Sequence, residues 1–224
     1  MSHASARRTL LALSMAWLSG GCGGPADASS TSTGAAAGTR SILEAAGSAD
    51  VLGTIEATLD GEARTWYVVT GSVRGEPYAS AVWFETAEGE LIASLGGYDT
   101  ADVPFDTFET DPAQGVSVGD YRGSAVTVLL MPGGGPAPYG AAITEDAPGI
   151  TYAPDATVQG IAGVYFGRSG SIDVTKLEIV DDRLHVEGTF EGALRMLGGE
   201  GGVEVTEGRF SVQGVPSRSA LGEG

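Results

Sequence analysis

The sequence predicts an all-β protein, with a single β-sandwich or partly closed barrel of about 9–11 antiparallel strands. Three observations indicate this fold class. Apolar and polar residues alternate with a period of two through most of the chain after Leu52, as they do in strands with one buried face. Turn residues recur about every ten residues. After residue 50, no stretch has the apolar spacing of an amphipathic helix three turns long.

The first strands are predicted to form a hairpin. Residues 55–59 alternate between apolar and polar, and Asp60-Gly61 separates them from the β-rich run RTWYVV at residues 64–69. An aspartate followed by glycine is a common signal for a two-residue turn between antiparallel strands. Residues 78–85 and 90–95 have similar β-rich composition and predict a second hairpin.

A continuously apolar run, AVTVLLM at residues 125–131, lies between Gly123 and Pro132. Such a run predicts a central strand that is buried on both faces or crosses the core. Shorter strands are predicted at residues 141–144 and 160–166, after a connector rich in glycine and proline.

The last third of the chain has the clearest alternation. Apolar residues alternate along residues 172–190 on either side of a turn at residues 181–182, and their phase changes at residues 175–176. A change of phase inside a strand predicts a β-bulge. A second change of phase, in residues 201–215, predicts a bulge or turn at Gly208.

The N-terminus carries a different signal. Arg7 and Arg8 precede an apolar run at residues 10–18, and small residues follow at 19–21. This order of charged, apolar and small residues predicts a secretory signal peptide over residues 1–21. The run has about half of the roughly 20 apolar residues that a membrane-spanning helix needs.

The end of this signal, WLSGGC, contains Cys22, the sole cysteine of the chain. It resembles the lipobox of bacterial lipoproteins, although Ser19 stands where that family usually has leucine. The resemblance implies that Cys22 becomes the N-terminus and carries a lipid such as palmitate. Gly23 after the cysteine implies the outer membrane or cell surface. The alternative is an ordinary signal peptide followed by an unmodified cysteine.

The remaining chain is predicted to have four parts. Residues 22–40 would be the lipidated N-terminus and a flexible tether, because they contain no large apolar side chain. Residues 41–51 would be a short helical or irregular lead-in, residues 52–215 the β domain, and residues 216–224 a disordered tail. The GTFEG…GRFSV pattern near the end is similar to that of small β domains of bacterial lipoproteins and implies no activity.

The charge of the chain limits its partners. Arg7 and Arg8 are the sole charged residues of the predicted signal peptide, so its removal takes the net charge from −17 to −19. A surface this acidic repels phosphate backbones, which argues against nucleic acid as a partner. The predicted partners are the membrane, through the lipid, and a protein or glycan that the sequence does not identify.

No catalytic residue is predicted. The segment from Gly167 to Ser171 has glycine and serine exchanged relative to the G-x-S-x-G motif of serine hydrolases. His185 alternates with apolar residues and is predicted on a solvated strand face. The segment GGEGG at residues 198–202 lacks the lysine of a phosphate-binding loop and is predicted to be a loop. A secreted hydrolase using paired carboxylates remains an alternative.

Two groups of residues predict binding. The first is an acidic loop between Leu95 and Val116 that contains Tyr98, Phe105 and Phe108. Its candidate metal ligands are Asp99, Asp102, Asp106, Glu109 and Asp111. Clustered carboxylates suit calcium, and a solvated acidic loop is the alternative.

The second group contains Trp66 and Trp83, which would line a sugar- or peptide-binding face. Packing in the core is the alternative for both residues. The sequence therefore predicts a membrane-anchored lipoprotein whose β domain serves binding, assembly or structure without catalysis. A calcium-dependent carbohydrate- or peptide-binding module is the second interpretation.

Overall fold

The structure is a computed structural model, and it describes residues 50–73, 75–87, 89–111, 115–117, 121–131, 141–144, 147, 149–156, 163–196 and 199–217. The predicted signal peptide, Cys22, the tether, residues 41–49 and the tail from residue 218 lie outside these residues. No helix in the described part has the length and apolar character needed to cross a bilayer.

The described chain contains thirteen strands and one short 3-10 helix, Phe105–Thr107, between β5 and β6. The strands are β1 (Val51–Leu59), β2 (Glu62–Val73), β3 (Glu76–Ala79), β4 (Ala81–Glu85), β5 (Leu91–Tyr98), β6 (Glu109–Asp111), β7 (Gly115–Ser117), β8 (Ala125–Leu130), β9 (Ala141–Thr144), β10 (Ile150–Ala153), β11 (Tyr165–Val180), β12 (Arg183–Met196) and β13 (Gly202–Pro216). The predicted all-β class is confirmed.

Eleven strands form one sheet in the order β12-β11-β10-β8-β5-β4-β13-β1-β2-β3, with β9 paired to β11. Strand β13 also pairs with β12, so the hydrogen-bonded path from β12 through β8, β5 and β4 returns to its start. All described pairings are antiparallel except the short contact of β13 with β4. The result is a partly ring-like sheet, as the predicted sandwich or partly closed barrel requires.

Both predicted hairpins are confirmed. Strands β1 and β2 pair through a turn at Asp60 and Gly61, both with positive φ, and β4 pairs with β5. The predicted strand at residues 78–85 is broken at Ser80, which separates β3 from β4. Ser80 is fully buried, its N donates to the carbonyl of Val69 at 2.9 Å, and its Oγ accepts from Val69 N at 2.9 Å.

Strand β8 lies between β5 and β10, as predicted for a central strand. Val126, Val128 and Leu130 are buried, whereas Thr127 and Leu129 on the opposite face are partly exposed. Of the two predicted alternatives, burial of both faces is therefore wrong, because one face of the strand is partly exposed. Leu129 completes an apolar run without packing in the main core, so composition alone overstated the burial of this strand.

The predicted bulge in β11 is confirmed by a register shift between Val174 and Lys176. In β13, Val205 and Phe210 are both buried, although residues five apart on a regular strand face opposite sides. Glu207, with a φ of 53°, lies between them and changes the phase. The predicted irregularity at Gly208 is thus a bulge at the neighbouring residue. Strand β9 was predicted, whereas β10 was not.

The side chains that face into the ring form the main hydrophobic core. Its largest fully buried members include Ile55, Trp66, Leu95, Leu130, Ile150, Ile172 and Leu184. Burial of each such side chain contributes about 1.5–3 kcal/mol. A second cluster packs against the opposite face of β2. Its buried members are Val69, Tyr98, Val103, Phe105, Phe108 and Tyr121.

Candidate functional site

Of the predicted acidic ligands, the structure describes the side chains of Asp99, Asp102 and Asp106, which form no metal-binding group. The Asp99 carboxylate accepts hydrogen bonds from Tyr121 Oη at 2.8 Å, Ser124 N at 2.7 Å and Ser124 Oγ at 3.1 Å. The Asp99 carboxylate therefore holds residues 121–124 against the end of β5. Asp102 and Asp106 are exposed. The side chains of Glu109 and Asp111 lie outside the described part of the structure.

The three aromatic residues predicted in this loop are core residues, and Tyr98 lies at the end of strand β5 and not in a loop, because β5 extends to it. Phe105 and Phe108 are 4% and 2% exposed, and their rings meet edge to face with centroids 5.1 Å apart. Tyr98 packs edge to face on Phe105, Phe108 and Tyr121. Sequence reasoning placed these residues in the loop but missed that they anchor it. The three-residue spacing of Phe105 and Phe108 is the sequence feature that could have predicted their common burial.

The tyrosine hydroxyls of this cluster remain protonated. Burial raises the pKa of Tyr78 to about 12, and the hydrogen bond that it shares with Tyr98 Oη at 3.1 Å offsets part of this effect. Burial also raises the pKa of Tyr121, and its hydrogen bond to the Asp99 carboxylate raises it further. These hydroxyls therefore act as neutral hydrogen-bonding groups at neutral pH.

Among the side chains that the structure describes, no group of three or more His, Cys, Asp or Glu could hold a metal ion. The calcium hypothesis thus stays a prediction. If it holds, calcium at a hundredfold excess over its dissociation constant would stabilise the native state by about 2.7 kcal/mol.

Melting experiments test this hypothesis. On the calcium hypothesis, the melting temperature rises more in calcium chloride than in magnesium chloride of the same ionic strength. The double variant Asp102→Asn/Asp106→Asn should lose this difference, because it removes two of the candidate ligands. Magnesium controls for general screening of the acidic surface. Equal shifts in the two salts, or an unchanged calcium response of the double variant, would contradict the hypothesis.

A cleft of about 670 Å³ lies where β11, β12 and β13 meet the turn between β1 and β2. Its ionisable lining residues are Asp60, Glu191 and Glu204, and all three are exposed. No histidine, cysteine, lysine or arginine of the described chain lines it. Acidic residues around a cleft give it a negative potential, so the cleft favours cationic groups.

Hydrogen bonds and close strand packing fix the shape of this cleft. Asp60 Oδ1 accepts from Glu204 N at 2.8 Å, and Asp60 N donates to the carbonyl of Glu204 at 3.0 Å. The β1–β2 turn is thereby fixed to β13. On the other side, Gly170 of β11 packs so tightly on β12 that a Cβ there would lie 2.0 Å from the carbonyl oxygen of Glu191.

Sequence reasoning missed this cleft as a site. Ser169 and Gly170, which line it, belong to the segment that fails the serine-hydrolase motif. That segment lies inside β11, whereas the motif requires a turn between a strand and a helix. Gly167 and Gly170 are the sequence feature that could have predicted the close strands under this cleft. A glycine inside a strand often marks a close approach of two backbones.

The other candidate residues lie apart from the cleft lining. Leu184 and Val186 are buried, and His185 between them faces the opposite side of β12, beside Glu178 and Gln213 on the neighbouring strands. His185 therefore lies on the side of β12 that was predicted, opposite the buried apolar residues. Residues 199–201 form the described part of the predicted loop before β13.

The two tryptophans differ in their environment. Trp66 is 0% exposed, and its Nε1 donates to Ser124 Oγ at 3.0 Å. It is a core residue, which agrees with the alternative interpretation. Trp83 is partly buried and packs against the main core. Its Nε1 is buried, and no described group forms a hydrogen bond with it.

No protein family, no curated protein and no solved structure matches this chain.

Proposed function

We propose that this chain is a lipid-anchored protein of a bacterial envelope, whose β domain binds a partner and catalyses no reaction. The observation that carries the proposal is the segment WLSGGC, which ends a charged, apolar and small-residue sequence at the sole cysteine of the chain. Lipidation of Cys22 would tether the domain to the outer membrane or cell surface through residues 23–49.

The charge of the chain supports a lipid anchor. The full chain has a net charge of −17, and removal of Arg7 and Arg8 with the signal peptide makes it −19, which gives no electrostatic attraction to anionic lipid headgroups. The apolar run at residues 10–18 is too short to span the bilayer. Each methylene that a lipid buries contributes about 0.8 kcal/mol. Attachment to the membrane should therefore depend on the acyl chains at Cys22.

The cleft supports a binding role for the domain. Asp60, Glu191 and Glu204 make its lining acidic, and no histidine, cysteine, lysine or arginine is among the described lining residues. Such a surface suits lysine or arginine side chains of a protein partner. Because Asp60 Oδ1 accepts from Glu204 N and Asp60 N donates to the carbonyl of Glu204, this part of the surface is formed before a partner binds.

Cell fractionation tests the anchor. The wild-type chain should remain with membranes after an alkaline carbonate wash, and Cys22→Ala should move to the soluble fraction, because it has no acceptor for the lipid. Ser19→Leu is the matched control, since it restores the leucine usual in lipoprotein signals and should keep the protein on membranes. Wild-type protein in the soluble fraction, or membrane retention of Cys22→Ala, would contradict the proposal.

A further inference from the structure

Within the residues that the structure describes, one edge of the sheet has no partner strand. On the side of β11 that faces away from β12, β10 pairs with Tyr165 and Phe166, and β9 pairs with residues 169–172. No described strand pairs with residues 173–180 on that side. Each residue pointing toward a free edge presents an unpaired N–H and C=O, which can pair with a further strand.

Apolar side chains concentrate at this edge. Ile179 and Val180 are 42% and 46% exposed, and together with Val51 they are the large apolar residues that the described surface exposes most. Leu177 is partly exposed on the same strand. Ile179 and Leu177 pair with Leu184 and Val186, which are buried. The apolar face of the sheet therefore continues to the edge, where no described strand covers it.

The charges on the edge are self-complementary. Lys176, the sole lysine of the chain, and Glu178 lie on either side of Leu177. In an antiparallel pair of identical strands, a two-fold axis at Leu177 places Lys176 of each copy opposite Glu178 of the other. An axis at Lys176 or Glu178 would instead place like charges opposite each other, which destabilises a strand pair. Of these three registers, charge therefore favours the one with the axis at Leu177.

We propose that this edge of β11 pairs with the same edge of a second copy of the chain, antiparallel and with the two-fold axis at Leu177. The pairing joins two sheets through backbone hydrogen bonds and two reciprocal contacts of Lys176 with Glu178. It covers the exposed ends of Leu177 and Ile179. A C2 dimer of this kind is closed, because the pairing uses the free edge of both copies.

The same structure limits the strength of the dimer. The bulge between Val174 and Lys176 bends the edge and shortens the regular stretch. Within one copy, Lys176 Nζ already lies 2.8 Å from Glu178 Oε1 and 3.9 Å from Glu187 Oε1. Edge pairing over about five residues buries less area than the roughly 1,200 Å² of a stable interface. The dimer is therefore weak and reversible.

Sedimentation equilibrium of the full chain tests the proposal. All proteins carry Cys22→Ala, so that neither a lipid nor a disulfide contributes to association. This background dimerises, and Lys176→Glu or Glu178→Lys weakens the dimer about tenfold, because each creates two like-charge contacts. The double variant Lys176→Glu/Glu178→Lys exchanges the charges and returns the dissociation constant to within about threefold of the background.

The exchange experiment separates dimerisation from folding. Both residues are exposed, so the single variants keep their melting temperature. Arg209→Glu, which reverses one partner of an exposed ion pair between β13 and β1, is the matched control and leaves association unchanged. Three results would each overturn the proposal. The background protein could be monomeric at about 1 mM, the single charge reversals could leave the dissociation constant unchanged, or the double variant could dimerise as weakly as the single variants.

Discussion

Replacement of Trp66 by alanine is expected to lower the free energy of unfolding by about 3–5 kcal/mol. The indole is fully buried in the main core and meets Tyr152 edge to face at 5.9 Å between centroids. Alanine leaves a cavity that closely packed neighbours fill only in part. Because domains of this size are stable by about 5–15 kcal/mol, the variant should lose a large share of its stability.

The indole N–H adds a second effect. It donates to Ser124 Oγ, and that hydroxyl donates to Asp99 Oδ2 at 3.1 Å. Trp66 thus connects the main core to the residues that hold the acidic loop. Trp66→Phe keeps most of the ring but loses the donor, so we expect an intermediate loss of about 1–3 kcal/mol.

Urea unfolding measures both variants, with Val51→Ala as the control. Val51 is 50% exposed, and a surface change of this kind usually stays within about 0.5 kcal/mol. A loss below about 1 kcal/mol for Trp66→Ala would show that Trp66 is not a central core residue.

Replacement of Gly170 by alanine is expected to have the next largest effect. Gly170 has a φ of 138° and no room for a Cβ beside the carbonyl oxygen of Glu191. Gly201 has a similar φ of 129°, but nothing lies within 4 Å of its Cβ position. The two glycines therefore separate backbone strain from steric overlap.

We expect Gly201→Ala to cost about 1–3 kcal/mol from backbone strain alone. Gly170→Ala should cost about 1–3 kcal/mol more, because β11 and β12 must move apart. The difference between the two unfolding free energies measures the closeness of the strands under the cleft. Equal losses in both variants would mean that β11 and β12 do not approach as closely as the structure indicates.

Local patterns predicted much of the fold. The β1–β2 hairpin, the β4–β5 hairpin and the bulge near residues 175–176 each depend on a turn signal or a phase change within a few residues. These features could be read from the sequence because side-chain alternation and turn chemistry are local. The turn at Asp181 and Asp182, both with positive φ, belongs to the same group.

Features that depend on distant residues were not predicted. The parallel contact of Val215 with Val82 joins segments far apart in the chain, and no local pattern marks it. The cleft forms because Gly170 of β11 and Glu204 of β13 both lie beside β12. Asp99 was predicted as a metal ligand because its charge is visible in the sequence, whereas its hydrogen bonds to Ser124 depend on tertiary contacts.

Metabolic labelling with palmitate in a bacterial host is the most direct test of the proposed lipid anchor. The wild-type chain should incorporate the label at Cys22, which ends the lipobox-like segment and is the sole cysteine of the chain. Cys22→Ala should incorporate none, while an equal amount of protein is detected by antibody. Labelled wild-type protein and unlabelled Cys22→Ala are the results that the proposal predicts, and a wild-type chain without label would contradict it.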